Sequence, residues 1–265
     1  MFDSLGPELS DFYRVMERSH LLDLKSRQGK AGGGFCTSFP VYGMPFIFAN
    51  FNGTKGDVEV FTHEMGHAFQ CYLSRNLPLA DYLWPTMEAC EIHSMGLEFL
   101  TWPHMEKFFR EDGERFRRTH LAQAVLFLPY GVAVDHFQHL VYENPDATPG
   151  ERNEMWQEVE ATYLPWCDYA DLPHESSGRR WQQKQHVYLC PLYYIDYCLA
   201  LTGALQFWSR SRSNFGEAML SYSALCKLGG SLDYSGLLQS AGLQSPFTKG
   251  CLDEVVEDAV HFLAG

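Results

Sequence analysis

The pentapeptide His63-Glu64-Met65-Gly66-His67 constrains this chain more than any other feature of its sequence. On an α-helix, residues four apart come round by about 400°, so His63 and His67 stand on one face and can share a metal ion. Glu64 lies about 100° further round, beside that face, where a carboxylate can receive a proton from metal-bound water. The spacing therefore predicts a zinc ligand pair and a general base on one helix.

The residues around the pentapeptide favour a buried helix with Asp57 as its N-cap. Apolar residues recur along one helical stripe: Val58, Phe61, Met65, Ala68, Phe69 and Tyr72. Burying two histidines and a glutamate among such residues without a partner costs on the order of several kcal/mol. A bound cation would be such a partner, so we expect one Zn²⁺ per chain.

The third zinc ligand has to come from elsewhere, because a catalytic zinc takes three protein ligands and keeps one position open. A leucine stands at position 73, where a longer histidine motif would place its third ligand. The remaining common source of a third ligand is a carboxylate from a following helix. The pattern of residues 84–100 predicts such a helix, with Thr86 as its N-cap. Spacing favours Glu91 as the ligand over Glu88, which suits the positive end of the helix dipole. Glu98 could accept the free N–H of a ligating histidine.

The rest of the chain predicts a mainly α fold with a small antiparallel β element. Helical periodicity is clearest in residues 10–25, 113–139 and 151–163. Residues 39–51 are the clearest strand candidate. This segment either covers the core as a hairpin or adds an extended peptide substrate as a further strand near the metal. A chain of 265 residues, 46% hydrophobic, can bury a full core, and we assign residues 1–265 to one domain.

Charge and cysteine content limit the possible partners and compartments. A formal net charge of −13 argues against nucleic acid, which needs a basic face. No apolar run reaches the length of a membrane span. Eight cysteines at irregular spacing and the lack of an apolar N-terminal stretch predict free thiols and a cytoplasmic location.

A second group of residues that could carry chemistry lies within residues 186–197. It consists of one histidine and four tyrosines: His186, Tyr188, Tyr193, Tyr194 and Tyr197. A phenol or imidazole donor could stabilise the oxyanion that forms when a peptide carbonyl is attacked. An aromatic-rich buried helix explains the same pattern, and the residues alone favour that explanation.

Five stretches of the chain together resemble the catalytic half of the oligoendopeptidase F family, which belongs to the thimet-oligopeptidase-like zinc metallopeptidases. The resemblance is carried by residues 30–37, 45–54, 57–73, 84–98 and 186–197. It implies a zincin-like metallopeptidase catalytic domain. Its ligands would be His63, His67 and Glu91, and Glu98 matches a further glutamate of the family's second helix. Family members are much longer, and their helical N-terminal region has no counterpart in residues 1–265.

The resemblance also implies a role for the aromatic group. His186 and Tyr197 match family residues that contact substrate and stabilise the transition state. Tyr194 is a further candidate for that catalytic role, because Ile195 stands where the family often has a tyrosine. Tyr188 and Tyr193 would bind substrate.

The implied function is a zinc-dependent endopeptidase that hydrolyses short unstructured peptides. Glu64 would assist the attack of zinc-bound water on the peptide carbonyl. The alternative is a non-catalytic, zinc-stabilised peptide-binding module, or an inactive fragment of a longer peptidase. Glu64 argues against the binding module, since a purely structural metal site needs no base.

Overall fold

The structure is a computed structural model that describes residues 1–265. The chain divides into two compact units, of which one comprises Met1–His120 with Ala200–Gly265 and the other Leu121–Leu199. The assignment of residues 1–265 to a single catalytic domain stays a prediction. None of the helices combines the length and the apolar composition needed to cross a membrane.

The secondary structure is mainly helical with a small β element, as expected, and that element has three short strands. The first hundred residues contain α1 (Pro7–Arg18), β1 (Leu22–Lys25), β2 (Phe35–Phe39), β3 (Met44–Phe51), α2 (Lys55–Ser74) and α3 (Met87–Leu100). The remaining helices are α4 (Glu106–Phe109), α5 (Gly113–Glu143), α6 (Pro149–Tyr163), α7 (Pro173–Ser176), α8 (His186–Leu189), α9 (Tyr194–Ser213), α10 (Phe215–Leu228), α11 (Tyr234–Ser240) and α12 (Asp253–Ala264).

The three strands form one mixed sheet in the order β1-β3-β2. β2 and β3 are the expected antiparallel pair, with Phe35 opposite Phe48, and a short turn at Pro40–Tyr42 connects them. β1 adds a parallel strand in which Leu22 lies opposite Ile47. The predicted helix over residues 10–25 is therefore wrong for its last seven residues, because α1 ends at Arg18 and residues 22–25 form β1. His20, at a φ of 56°, turns the chain out of α1, and β3 then supplies a pairing partner.

A buried lysine joins the two parallel strands. The Lys30 side chain is 1% exposed and pairs with the Asp23 carboxylate at 3.0 Å. Its ammonium also donates to the carbonyl oxygens of Asp23, Lys25 and Ala49. The Lys30 ammonium therefore satisfies backbone acceptors of both β1 and β3. These contacts fix the position of the chain just before the turn at Gly32-Gly33-Gly34. Gly33 has a φ of 92°, as the permissive turn requires.

The helices α2 and α3 bear the predicted ligands, and the predicted N-cap is right for α3 and wrong for α2. Thr86 is the N-cap of α3, as expected. The N-cap of α2 is Thr54, so the prediction of Asp57 was wrong. Asp57 lies in the first turn instead, where its carboxylate accepts from the backbone N–H groups of Asn52 at 3.0 Å and Gly53 at 2.6 Å. Asp57 thus stabilises the turn that precedes the helix and also favourably meets the helix dipole.

α2 and α3 pack against each other closely at Gly66, inside the pentapeptide. A Cβ atom added to Gly66 would lie 2.4 Å from the carbonyl oxygen of His93 and 2.6 Å from the Cα of Ser94. Both atoms belong to the α3 backbone, so neither can move aside as a flexible side chain could. The small residue between Met65 and His67 therefore sets how near the two ligand-bearing helices come.

We expect Gly66→Ala to destabilise the protein by about 3 kcal/mol, because overpacking against a rigid backbone costs in the range of about 1–3 kcal/mol or more. Gly56→Ala, in the first turn of the same helix, is the control. Its added Cβ would meet only the Thr54 hydroxyl, at 3.5 Å, and alanine is the better helix former. Thermal and denaturant unfolding measure both variants. Equal stability of the two would contradict the proposed close contact.

The second unit has its own apolar core, formed by residues of α5, α6 and the segment that follows. The Phe137 ring of α5 packs edge-on against Trp156 of α6, with ring centroids 5.5 Å apart. It also packs against Trp181 in a tilted arrangement, at 5.0 Å. A capping box starts α6: the Thr148 side chain and the Glu151 side chain each accept from the other residue's backbone N–H. This core holds the segment that carries the aromatic group.

Candidate metal centre

Three side chains of the first unit converge where α2 faces α3. Glu91 Oε2 lies 3.1 Å from His63 Nε2 and 3.2 Å from His67 Nε2. All three donor atoms lie within 4.8 Å of one another, and His67 and Glu91 are buried. The two imidazole rings are 5.0 Å apart, one helical turn from each other.

The donor set fits a divalent cation, and zinc best. Two imidazole nitrogens and one carboxylate oxygen are the ligand types of catalytic zinc sites, and three protein donors leave a fourth position open. Glu88 is outside this group and is partly exposed on the first turn of α3. The structure therefore brings Glu91, and not Glu88, to the histidines.

The electrostatics of the group also favour a cation. Burial opposes charge on Glu91, but hydrogen bonds from His63 and His67 outweigh burial and hold the pKa of Glu91 far below its usual range. Burial likewise opposes charge on His67, yet contacts with Cys90 and Glu91 raise its pKa to about 9. Protons thus collect on the imidazoles when no metal competes. Zinc binding would displace those protons, as it does from ligating histidines in general.

Glu64 lies beside the three donors and is not one of them. It is 8% exposed. Burial raises the pKa of its carboxyl, while the charges of His63 and His67 and a hydrogen bond with the Cys36 backbone moderate the rise. A carboxylate with a raised pKa accepts and returns protons more readily near neutral pH than a free carboxylate does. The Cys36 contact also places β2 next to this group.

Glu98, one helical turn beyond Ser94 on α3, contacts the outer side of the metal centre. Its Oε1 lies 2.7 Å from His63 Nδ1, the ring nitrogen that faces away from Glu91. Its other oxygen lies 2.7 Å from His120 Nε2. Burial would raise the pKa of Glu98, but hydrogen bonds with His120 and His63 lower it to about 2. Glu98 thus lies where a carboxylate can accept from both the His63 and the His120 ring.

Three contacts of the centre were not predicted from the sequence. Cys90 Sγ lies 3.7 Å from His67 Nδ1, and the Trp84 ring packs edge-on against the His67 ring at 6.3 Å. Ser94 Oγ donates to Glu91 Oε2 at 2.7 Å. Only the Ser94 contact had a signal, because residues three apart on a helix are neighbours. The other two depend on how the elements pack.

The predicted histidine and tyrosine group lies in the second unit, where its members contact one another. The His186 ring packs against those of Tyr193, Tyr194 and Tyr197 at 6.4, 5.1 and 5.7 Å, and Tyr197 Oη lies 3.5 Å from His186 Nε2. Tyr194 is buried, and burial raises its pKa well above the usual value. Tyr188 is separate from these rings, exposed and stacked on Trp181 at 5.9 Å.

Comparison with solved structures finds similar proteins along the whole chain. A protein assigned as an oligoendopeptidase F is 52% identical with a TM-score of 0.94, over 100% of this chain and 47% of that one. PZ peptidase A, solved with an inhibitor, is 50% identical with a TM-score of 0.94, over 99% and 47%. A third protein, assigned as an oligoendopeptidase F of Bacillus anthracis, is 48% identical with a TM-score of 0.87, over 99% and 44%.

The chain thus spans slightly less than half the length of each of these proteins. No curated protein matches it. Residues 7–257 match the sequence profile described as peptidase family M3. The resemblance to oligoendopeptidase F and the zincin-like, mainly helical fold are confirmed. The chain belongs to peptidase family M3.

Proposed function

We propose that residues 1–265 form the catalytic domain of a zinc-dependent endopeptidase that hydrolyses short unstructured peptides. One observation carries the proposal: His63, His67 and Glu91 form a three-donor group with Glu64 beside it. Family membership supports a peptidase. The three residues would hold Zn²⁺, one per chain. When bound, zinc would act as a Lewis acid toward a water molecule and the scissile carbonyl.

Glu64 is the proton-transfer group of this proposal. Its carboxylate accepts a proton from the attacking water and then delivers it to the leaving amine nitrogen. The raised pKa of Glu64 suits both steps, because the carboxyl has to gain and lose a proton within one turnover. Glu98 accepts from the Nδ1–H of His63, so in neutral His63 the lone pair is on Nε2, the nitrogen that faces the other two donors.

Strand β2 offers a way to hold the peptide backbone. β2 pairs with β3 on one side only, which makes it an edge strand. Its Cys36 backbone contacts Glu64, and a Cβ on Gly34 would lie 3.9 Å from Glu64 Oε1. An extended peptide added to this edge would therefore run past the general base. This supports substrate binding at β2. Most of the segment over residues 39–51 is β3, which is paired on both sides and has no free edge for a peptide.

The His186 and Tyr197 pair is the proposed source of a further donor. The family resemblance implies that such residues stabilise the oxyanion, and Tyr194 is the second candidate. Tyr188 and Tyr193 are proposed to bind substrate. The net charge of −13 disfavours binding of nucleic acids, so peptides are the proposed partners.

We expect Tyr197→Phe to lower kcat by about 10²–10³-fold with little change in KM, because a donor used only as the oxyanion forms stabilises the transition state selectively. Phenylalanine keeps the ring packing and removes only the hydroxyl. Tyr194→Phe is measured next to it, with zinc content determined for both. If both variants and His186→Ala turn over like wild type, the aromatic group is only part of the core.

A quenched fluorescent peptide assay of the purified chain tests the proposed function. We expect about one zinc per chain by elemental analysis, since one complete donor set is present. Chelation should abolish cleavage and added zinc should restore it. Zinc binding with peptide affinity but without cleavage would favour the binding module instead. Two tightly bound metals per chain would contradict the assigned donor set.

A further inference from the structure

Glu98 links the metal centre to a third histidine, His120, which the proposed mechanism does not use. One carboxylate oxygen lies 2.7 Å from His63 Nδ1 and the other 2.7 Å from His120 Nε2. His120 belongs to α5, Glu98 to α3 and His63 to α2. One carboxylate therefore ties three helices together around the outer side of a proposed ligand.

The far side of His120 is occupied by an indole. Trp102 Nε1 lies 3.2 Å from His120 Nδ1. An indole N–H can only donate, so His120 Nδ1 has to be the acceptor and carries no proton. The proton of a neutral His120 then sits on Nε2, where it is donated to Glu98. Trp102 thus selects the one His120 tautomer that can donate to this carboxylate.

The same reasoning continues to the metal centre. A carboxylate has only acceptor oxygens, and Glu98 Oε1 lies 2.7 Å from His63 Nδ1, so His63 donates to it through Nδ1–H. In a neutral His63 the lone pair is then on Nε2, and this is the atom that lies 3.1 Å from Glu91 Oε2. A donor-only group two side chains away therefore determines which nitrogen of His63 is available to a metal.

The rings around His120 hold it in this position. Phe116 stacks on the imidazole with an interplanar angle of 9°, and Phe99 packs against it at 4.9 Å. Trp102 is 5% exposed and is itself packed against Trp208 at 6.0 Å. Apolar neighbours of this kind exclude water that could otherwise compete for the hydrogen bonds.

We propose that Trp102 and His120 are positioning residues for the metal, which act through Glu98 to fix the tautomer and orientation of His63. The proposal rests on the proposed function only in taking His63 as a zinc ligand. Outer hydrogen-bond partners of this kind typically change metal affinity by about 10- to 100-fold. The pair raises zinc affinity without touching zinc.

Zinc affinity of the metal-free protein, measured by competition with a chromophoric chelator, tests the proposal. His120→Phe keeps a ring between Phe99 and Phe116 but removes the donor to Glu98, and we expect it to weaken zinc binding by about 10- to 100-fold. His120→Gln offers an amide N–H near the Nε2 position and should recover part of the loss. Trp102→Phe keeps the packing but frees the His120 tautomer, so a smaller loss is expected.

Trp208→Phe is the matched control, because it makes the same change in the same aromatic cluster without a hydrogen bond to His120. Nitrogen-15 NMR of the imidazoles supplies a second readout: His120 protonated on Nε2 in wild type, and a mixture of tautomers in Trp102→Phe. If Trp102→Phe and His120→Phe bind zinc like Trp208→Phe, the proposal is wrong. If wild type itself binds no zinc, the proposed metal site fails first, which is a different result.

Discussion

Glu64→Gln is expected to lower kcat by about 10²–10⁴-fold while the protein keeps its zinc, since general acid–base catalysis contributes about that much. Glutamine has the same shape and can still accept a hydrogen bond from the Cys36 backbone, as Glu64 does. It cannot take up the proton of the attacking water. Steady-state kinetics with a quenched peptide, together with elemental analysis of the same sample, measure both parts of the prediction.

Glu59→Gln is the control for that variant. Glu59 lies on the same helix, five residues earlier, and forms a surface ion pair with Lys55. Surface pairs of this kind contribute little, so turnover should not change. Substantial residual activity in Glu64→Gln with zinc still bound would move the general base to another residue. Loss of zinc from that variant would instead make Glu64 part of the donor set.

Glu91→Gln is expected to weaken zinc binding by more than about 100-fold, which exceeds the effect of losing an outer hydrogen-bond partner. The amide is neutral, and its oxygen is a weaker ligand for zinc than a carboxylate. Turnover should be lost at limiting zinc and should recover in part when zinc is added in excess. Chelator competition and a zinc titration of activity measure these two effects.

Glu88→Gln makes the same chemical change three residues earlier on α3, one turn nearer its start. Glu88 is partly exposed and lies outside the group of donors, so zinc affinity should stay at the wild-type value. A larger loss in Glu88→Gln than in Glu91→Gln would assign the third ligand to Glu88. Equal and small losses in both would mean that the third ligand comes from another element.

Some of the site could be predicted because its geometry is local. The angles between His63, Glu64 and His67 follow from helix geometry once the segment is helical. Thr86 could be predicted as the start of α3 because capping depends on neighbouring residues. Capping also shows the limit of this approach, since Asp57 stabilises α2 from inside its first turn and Thr54 precedes the helix.

Strand β1 shows why other parts of the fold could not be predicted from the sequence. Residues 22–25 continue an apolar pattern that begins in α1, and a short apolar run does not distinguish a helix from a strand. Two features outside the segment decide the outcome: β3, twenty-five residues further on, and the buried ammonium of Lys30, which contacts both strands. Neither leaves a signal within the segment itself.

The sequence by itself determined a helix that carries two imidazoles and a carboxylate, a following helix with three candidate glutamates, and the family to which both belong. The tertiary structure decided which glutamate meets the histidines. That choice depends on how α3 packs against α2, whose backbones approach each other closely at Gly66. It also brought Trp102 and His120 to Glu98. Hydrogen bonds between side chains of different helices need packing at the level of an ångström, and residue spacing along one chain does not encode it.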